Sequence, residues 1–341
     1  MGKKGATVAI VCKVSGKTDK GLVRQGNEDH LLIDSQHNLY AVCDGMGGAQ
    51  AGEVASLTAS QILGVSFKHF QEDLLKDSLL GVGVNLPSGG DILVKSIRLA
   101  NREIHNRAVN DTTLAGMGTT VVGVALESDI MSIAHVGDSR CYQITERNLI
   151  PLTVDHSWVQ ELQDSQGIRL SEAEVTVGRN VITRALGVRK NVEVDYRLVK
   201  VKPGDMFLLC SDGLCGYADD EEIFDVIKRC ENDIVKIADQ LVKSANERGG
   251  MDNVTVVVIK VEKVDDSDKQ PLALMTLPSE SDQLLQTEDA WLTRLKVKLE
   301  QMATQKSEVE VPGSANKSTL IAIFAAFLIV AVVILILFSG K

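Results

Sequence analysis

Residues 119–145 read TTVVGVALESDIMSIAHVGDSRCYQIT. Three apolar runs rich in β-branched residues lie within this stretch, at 119–126, 129–136 and 139–145, joined only by Glu127-Ser128 and Gly137-Asp138. A two-residue connection cannot carry a crossover helix, so successive runs are predicted to pair as antiparallel strands. VVGVAL is apolar at nearly every position rather than at alternate ones, which requires cover on both faces of its sheet. Helices are predicted at 49–70, 91–110, 154–166, 219–229 and 233–248. Two antiparallel sheets packed face to face, with helices outside each, satisfy both constraints: an α+β fold built on a β-sandwich.

Composition limits what such a domain can do. The chain has 341 residues, of which 44% are hydrophobic and 24% charged, enough for one large core or two small ones. Its formal charge of -10 opposes non-specific nucleic-acid binding, because the average surface repels a phosphate backbone. The six cysteines, Cys12, Cys43, Cys141, Cys210, Cys215 and Cys230, form no CxxC pair. They are read as reduced core residues in a cytoplasmic compartment. The N-terminal apolar stretch is broken by Lys13, against a signal peptide, and Ala6 stands where a myristoylation signal needs Ser or Thr.

Three segments follow from patterning. Residues 1–264 hold the strands and helices above and form the expected catalytic domain. Residues 265–318 are polar, opening on DDSDK and closing on VPGSANKS, and read as a linker. Within it Leu285, Leu292, Leu295, Leu299 and Met302 share one stripe of an amphipathic helix at about 284–303. Residues 319–338 include LIAIFAAFLIVAVVILILF, without a charge, and as a helix would span roughly 28 Å. A single-pass transmembrane helix is expected, with the catalytic domain facing the cytoplasm and Lys317 on that side.

The informative chemistry is where aspartates stand relative to strands. Asp44 ends LYAVCD and precedes Gly45; Asp212 ends MFLLCSD; Asp252 and Asn253 immediately precede VTVVVI. Any one Asp-Gly pair is more often a turn, but three carboxylates beside long apolar strands are expensive to bury without a cation. Asp138 in HVGDSR and the pair Glu28-Asp29, close after Arg24, add acidic sites. Oxygen ligands without nearby His or Cys select Mg²⁺ or Mn²⁺ over zinc. An added arginine suits phosphoryl chemistry, since its planar fork can grip two phosphate oxygens.

The ordered series RQGNED, DGMGG, GMGTT, HVGDSR, ITRALG, SDGL and DNVT resembles the metal-dependent PPM-type (type 2C) serine/threonine protein phosphatases in their bacterial form. The resemblance runs from about residue 13 to 261. It implies a helix-flanked β-sandwich whose cleft holds two Mn²⁺ or Mg²⁺ ions, with Asp44 bridging them and Gly45 offering its carbonyl. It further implies that Asp212 and Asp252 complete one ion's ligands, that Glu28 and Asp29 orient metal-bound waters, and that Arg24 holds the substrate phosphate. Asp138 would join Asp212 around a third, weaker metal, Asn253 would support the ligands, and residues 157–180 would form a variable flap touching the substrate. Where animal relatives place a histidine after Asp-Gly this chain has Met46, which leaves the general acid to a metal-bound water near Asp138. His30, His37, His69, His105, His135 and His156 match no catalytic motif position and are read as structural or surface residues.

The expected reaction is in-line attack on the phosphorus of phosphoserine or phosphothreonine in proteins by a water that the metal pair activates, opposing a bacterial Ser/Thr kinase. Two rivals come from other classes. A nucleotide-binding ATPase would need a second glycine box that is absent from the sequence. A catalytically inactive, membrane-tethered binding module would keep the fold without turnover.

Overall fold

The computed structural model describes residues 10–48, 51–73, 86–166 and 181–279. Twelve strands in these residues form two antiparallel sheets. The first has the order β1 (Val11–Asp19), β11 (Val254–Lys263), β10 (Met206–Cys210), β7 (Arg140–Ile144), β8 (Leu149–Pro151). The second runs β12 (Leu272–Leu277), β9 (Val194–Lys200), β6 (Ile130–Val136), β5 (Val121–Glu127), β3 (Leu39–Met46), β2 (Asp29–Asp34), with β4 (Gly118–Thr119) pairing the end of β3.

Period-two alternation divides the apolar side chains of each central strand between two cores. In β10, Phe207 and Leu209 point between the sheets, where they meet Val42, Val124 and Ile133 of the second sheet. Met206, Leu208 and Cys210 point outward, against Ile237 and Leu241. Each such side chain contributes about 1.5–3 kcal/mol when fully buried, so both faces of the strand hold the layers together. The outer cover of the first sheet is α5 (Asp220–Lys228) and α6 (Ile234–Glu247). Asp219 and Glu222 start α5 as a reciprocal capping box, and Asp233 caps α6 by accepting from Val235 and Lys236. Over the second sheet lie α1 (Ala51–Asp73) and α2 (Ser88–Asn110), while α3 (Trp158–Gln166) follows β8 along the chain. Helices α1 and α2 close onto the second sheet at Gly123, where a Cβ would sit 3.1 Å from Leu93 Cδ1 and 3.8 Å from Leu63 Cδ2.

The expected sandwich with helices outside both sheets is therefore present. Two expectations need correction. A hairpin does join paired strands β5 and β6, but its two turn residues are Ser128 and Asp129, one place later than expected, since Glu127 pairs with Ile130; Gly137-Asp138 is not a hairpin. It carries the chain from β6 in one sheet to β7 in the other, with Gly137 at φ +108°, a conformation open to glycine. Short connections exclude helices; they do not decide whether the next strand stays in the same sheet. The other correction concerns the boundary at 264. Leu272–Leu277, assigned to the linker, forms edge strand β12 on β9, so the sheet outlasts the polar DDSDK segment. All six cysteines are free, and all but Cys12 are buried. Among the described residues no helix is long and apolar enough to cross a membrane. The amphipathic helix at 284–303, the apolar span 319–338 and flap residues 167–180 lie outside the described residues.

Candidate metal centre

Antiparallel pairing sends alternate strand ends to the same place. The C-terminal ends of β1 and β10 and the N-terminal ends of β11 and β7 meet at one end of the first sheet, since Asp19 pairs with Val254, and Cys210 with both Val256 and Arg140. On the second sheet, Asp29 opening β2 pairs with Asp44 near the end of β3. The crossover from β6 to β7 brings Asp138 to the same end. Asp212 starts α4 (Asp212–Cys215), a single turn after β10, and Asp252 precedes β11.

Backbone and hydroxyl contacts fix this end. The Asp44 amide donates to Thr120 Oγ1 at 3.1 Å, while Thr119 Oγ1 and the Thr120 amide both donate to the Asp44 carbonyl at 2.8 Å. Gly45 donates to the Glu28 carbonyl at 3.0 Å, and a Cβ there would meet Gly52 O at 2.2 Å, so only glycine lets α1 start this close. Asn253 ties the loop before β2: its Oδ1 accepts from the Glu28 amide at 2.7 Å and its Nδ2 donates to the carbonyls of Lys20 and Gly26 at 2.9 Å. Ser211 Oγ donates to Asp29 Oδ2 at 2.7 Å and accepts from the Thr255 amide at 3.0 Å, which couples the two sheets. Arg24 Nη2 donates to Asp252 Oδ2 at 2.7 Å, with the Arg24 side chain 49% exposed and that of Asp252 14%.

The carboxylates repel one another. Burial pushes Asp29 up to about 7, with Asp212 and Asp252 adding to the shift and the Ser211 bond opposing it. Burial first, then Asp29, Asp212 and Asp138, holds Asp44 well above the usual carboxylate range. Asp138 rises to about 8 through burial and through Asp212 and Asp155. Asp212 is raised by burial and by Asp252, and Glu28 by burial against the opposing pull of Arg24. Asp29 Oδ1 and Asp138 Oδ1 are buried with no hydrogen-bond partner. So many inward carboxylates with orphaned oxygens are costly as they stand. Hard divalent cations would satisfy the orphans and reverse the repulsion, so this donor set fits Mn²⁺ or Mg²⁺.

All of the expected site residues, Arg24, Glu28, Asp29, Asp44, Gly45, Asp138, Asp212, Asp252 and Asn253, thus lie at one end of the sandwich. Sequence reasoning missed the supports Thr119, Thr120 and Ser211, although each stands inside a motif, GMGTT or SDGL, already singled out. A second cluster, His135, His156 and Asp195, brings possible ligand atoms within 4.8 Å of one another. Arg184 stands in it, with Nη1 at 2.8 Å from Asp195 Oδ1 and 3.2 Å from His156 Nε2. A guanidinium already supplies the positive charge there, and the cluster does not fit a metal.

A family profile described as "Protein phosphatase 2C" matches residues 13–254. "Serine/threonine protein phosphatase PstP" of Mycobacterium tuberculosis is 34% identical over 282 residues, 82% of this chain and 51% of that protein. The chain therefore spans about half the length of that relative (51%). "Serine/threonine phosphatase stp" of Listeria welshimeri is 35% identical over 247 residues, covering 72% of this chain and 94% of that one. The crystal structure of the catalytic domain of serine threonine protein phosphatase PstP "in complex with 2 Manganese ions" superposes with a TM-score of 0.62 at 32% identity, over 74% of this chain and 100% of that chain.

Proposed function

The chain belongs to the protein phosphatase 2C family, and from that premise we propose that it hydrolyses phosphoserine and phosphothreonine in proteins. The observation that carries the reading is the set of buried, mutually repelling carboxylates beside one half-exposed guanidinium. Asp44, Asp212 and Asp252 would hold two Mn²⁺ or Mg²⁺ ions, with Glu28, Asp29 and the Gly45 carbonyl around them and Asp138 beside a weaker third. Bound there, the cations would neutralise phosphoryl charge and supply a nucleophilic water near neutral pH.

The chain's own groups do the rest. Asp252 fixes one edge of the Arg24 fork while about half of that side chain stays exposed, so the guanidinium is aimed yet open to phosphate oxygens. Ser211 and Asn253 keep the carboxylate-bearing segments rigid, which suits phosphoryl transfer, where positioning and electrostatics dominate. Mn²⁺-dependent release of phosphate from a phosphothreonine peptide tests the reading, with Asp212→Asn and Arg24→Ala beside the wild type. Asp212→Asn should lose turnover, and Arg24→Ala should raise KM more than it weakens Mn²⁺ binding. Turnover that persists in Asp212→Asn, or its absence from the wild type, would overturn the proposal and favour a tethered binding module.

The apolar span 319–338 supports a further part of the proposal: a membrane anchor with the catalytic domain on the cytoplasmic side, opposing a Ser/Thr kinase there. Full-length chain should sediment with membranes and resist alkaline extraction, and a chain ending at Ser318 should not. Release of the full-length chain by alkali would remove the anchor.

A further inference from the structure

We propose that His156 is a positioning residue for the metal centre: its neutral imidazole holds the Gly137–Asp138 crossover and so aims the Asp138 carboxylate. The inference rests on the phosphatase reading and extends it to a residue outside every motif used above.

The contact has two points. The His156 amide donates to the Gly137 carbonyl at 3.0 Å, and the Gly137 amide donates back to His156 Nδ1 at 3.0 Å. Both residues are deeply buried around this bond, with His156 7% exposed and Asp138 6%. Accepting at Nδ1 leaves that nitrogen without a proton, so the neutral ring carries its hydrogen on Nε2. Nε2 in turn lies 3.3 Å from Asp195 Oδ2, the natural acceptor for that hydrogen, so Arg184 Nη1, 3.2 Å from the same nitrogen, does not donate to it and turns its hydrogen to Asp195 Oδ1. Arg184 donates to the other oxygen of Asp195 at 2.8 Å and holds the carboxylate in place. His135 stacks on the ring at a centroid distance of 4.8 Å and an interplanar angle of 16°, fixing its plane. His135 is itself held by Val154, whose carbonyl lies 2.8 Å from Nε2.

What is held matters because Gly137 has φ +108° and makes the jump between sheets. The residue following such a turn has no β-ladder partner of its own to set its direction, since β7 begins only at Arg140. Two groups then define the crossover: Ser139, whose hydroxyl lies 2.7 Å from Thr120 Oγ1, and His156. The first belongs to the Asp44 supports. The second reaches in from the segment after β8 and bonds to Gly137, next to Asp138, so it would bear on a cation held by Asp138 more than on those held by Asp44.

Isosteres separate aiming from mere packing. Asparagine places an oxygen where Nδ1 stands and keeps the Gly137 acceptor; glutamine places its amide near Nε2 and keeps only the Asp195 contact. In the full-length protein, His156→Asn should bind Mn²⁺ by calorimetry as the wild type does, whereas His156→Gln should lose or weaken the last binding step by about tenfold, the scale of one unsatisfied buried donor. Turnover of a phosphothreonine peptide should follow, with the Mn²⁺ needed for half-maximal rate raised in the glutamine variant and KM for peptide unchanged. Equal Mn²⁺ binding in the two variants, or losses that merely track their metal-free melting temperatures, would overturn the proposal. So would a wild-type nitrogen-15 spectrum showing His156 protonated at Nδ1, a readout that needs no variant to fold. A wild type that binds Mn²⁺ without hydrolysing the peptide would sink the phosphatase reading, while calorimetry would still decide the role of His156.

Discussion

Asp29 and Asp44 stand directly opposite each other on neighbouring strands β2 and β3. Directly paired residues on one sheet face have Cβ atoms about 4.5–5.5 Å apart, and like charges so placed destabilise the pair. A strand pairing that sets carboxylate against carboxylate is stabilising only when something positive lies between or beside them.

The first expected outcome follows from that cost. In the unfolded chain these carboxyls titrate near 3.8; folded, Asp29 is pushed up to about 7 and Asp138 to about 8. Between those limits the folded chain binds more protons than the unfolded one, so metal-free stability is greatest below about pH 4 as far as these groups are concerned, and it falls as pH rises through 7 and 8. Chelator-treated protein should melt lower at pH 8 than at pH 5, by about 2–4 °C for each kcal/mol lost. Mn²⁺ should raise the melting temperature more at pH 8 than at pH 5, because at the lower pH it competes with protons for the same oxygens. A chelated protein whose melting temperature climbs from pH 5 to pH 8 would contradict this account.

Replacing Asp44 by Asn should have opposite effects on the apo and metal-loaded forms. Asp44 is raised by burial and by three neighbouring carboxylates, so its charge is a liability until a cation arrives. Without metal, Asp44→Asn should melt at or above the wild-type temperature at pH 8. With Mn²⁺ it should show no stabilisation, and turnover should drop by more than the roughly 10–100-fold that loss of a ligand's supporting partner costs. Differential scanning calorimetry with and without Mn²⁺ reads both signs in one experiment.

Much of this site could be read from the chain, for a physical reason. Asp44, Asp212 and Asp252 each abut a long apolar run, and antiparallel strands necessarily return their ends to shared edges, so acids at strand ends converge. The geometry of short links was not legible in the same way. Gly137-Asp138 has the length of a hairpin but spans two sheets, because loop length limits the reach of a connection and not its direction. Strand β12 was hidden because LALMTL follows a charged, turn-like segment, and an edge strand needs only one apolar face. Ser211, Thr120 and His156 act through hydrogen bonds to distant backbone or side-chain groups. No local pattern announces a partner 182 residues away, as for Ser211 and Asp29.

Asn253 should prove a residue whose loss is felt both in stability and in substrate binding. Its side chain makes three hydrogen bonds, to Glu28, Lys20 and Gly26, and is almost wholly buried. Asn253→Ala removes all three of these part-buried bonds, at about 0.5–1.5 kcal/mol for each. Because Arg24 and Glu28 ride on the loop so released, KM for a phosphopeptide should rise along with the loss of stability. Asn253→Asp keeps the acceptor for the Glu28 amide but adds a charge beside Asp252, and it should weaken the fold in chelator more than in saturating Mn²⁺. Urea unfolding under the two conditions separates the variants.

Gly213 is required by contact and not by backbone angle. A Cβ there would lie 1.8 Å from the Asn253 carbonyl oxygen and 2.8 Å from its carbon, with no positive φ to explain the choice of glycine. Turn α4 and the start of β11 therefore touch backbone to backbone, and this contact sets the separation of Asp212 from Asp252. Gly213→Ala must push the two segments apart, which should cost at least the ~1–3 kcal/mol typical of overpacking and weaken Mn²⁺ binding even in molecules that remain folded. Gly26 gives the internal control: a Cβ added there has nothing within 4 Å. Gly26→Ala should leave stability within about 0.5 kcal/mol and Mn²⁺ affinity unchanged, although it lies in the same loop as Arg24. Equal effects at the two glycines in paired urea and Mn²⁺ titrations would mean that loop flexibility, and not the approach of α4 to β11, governs the spacing of the carboxylates.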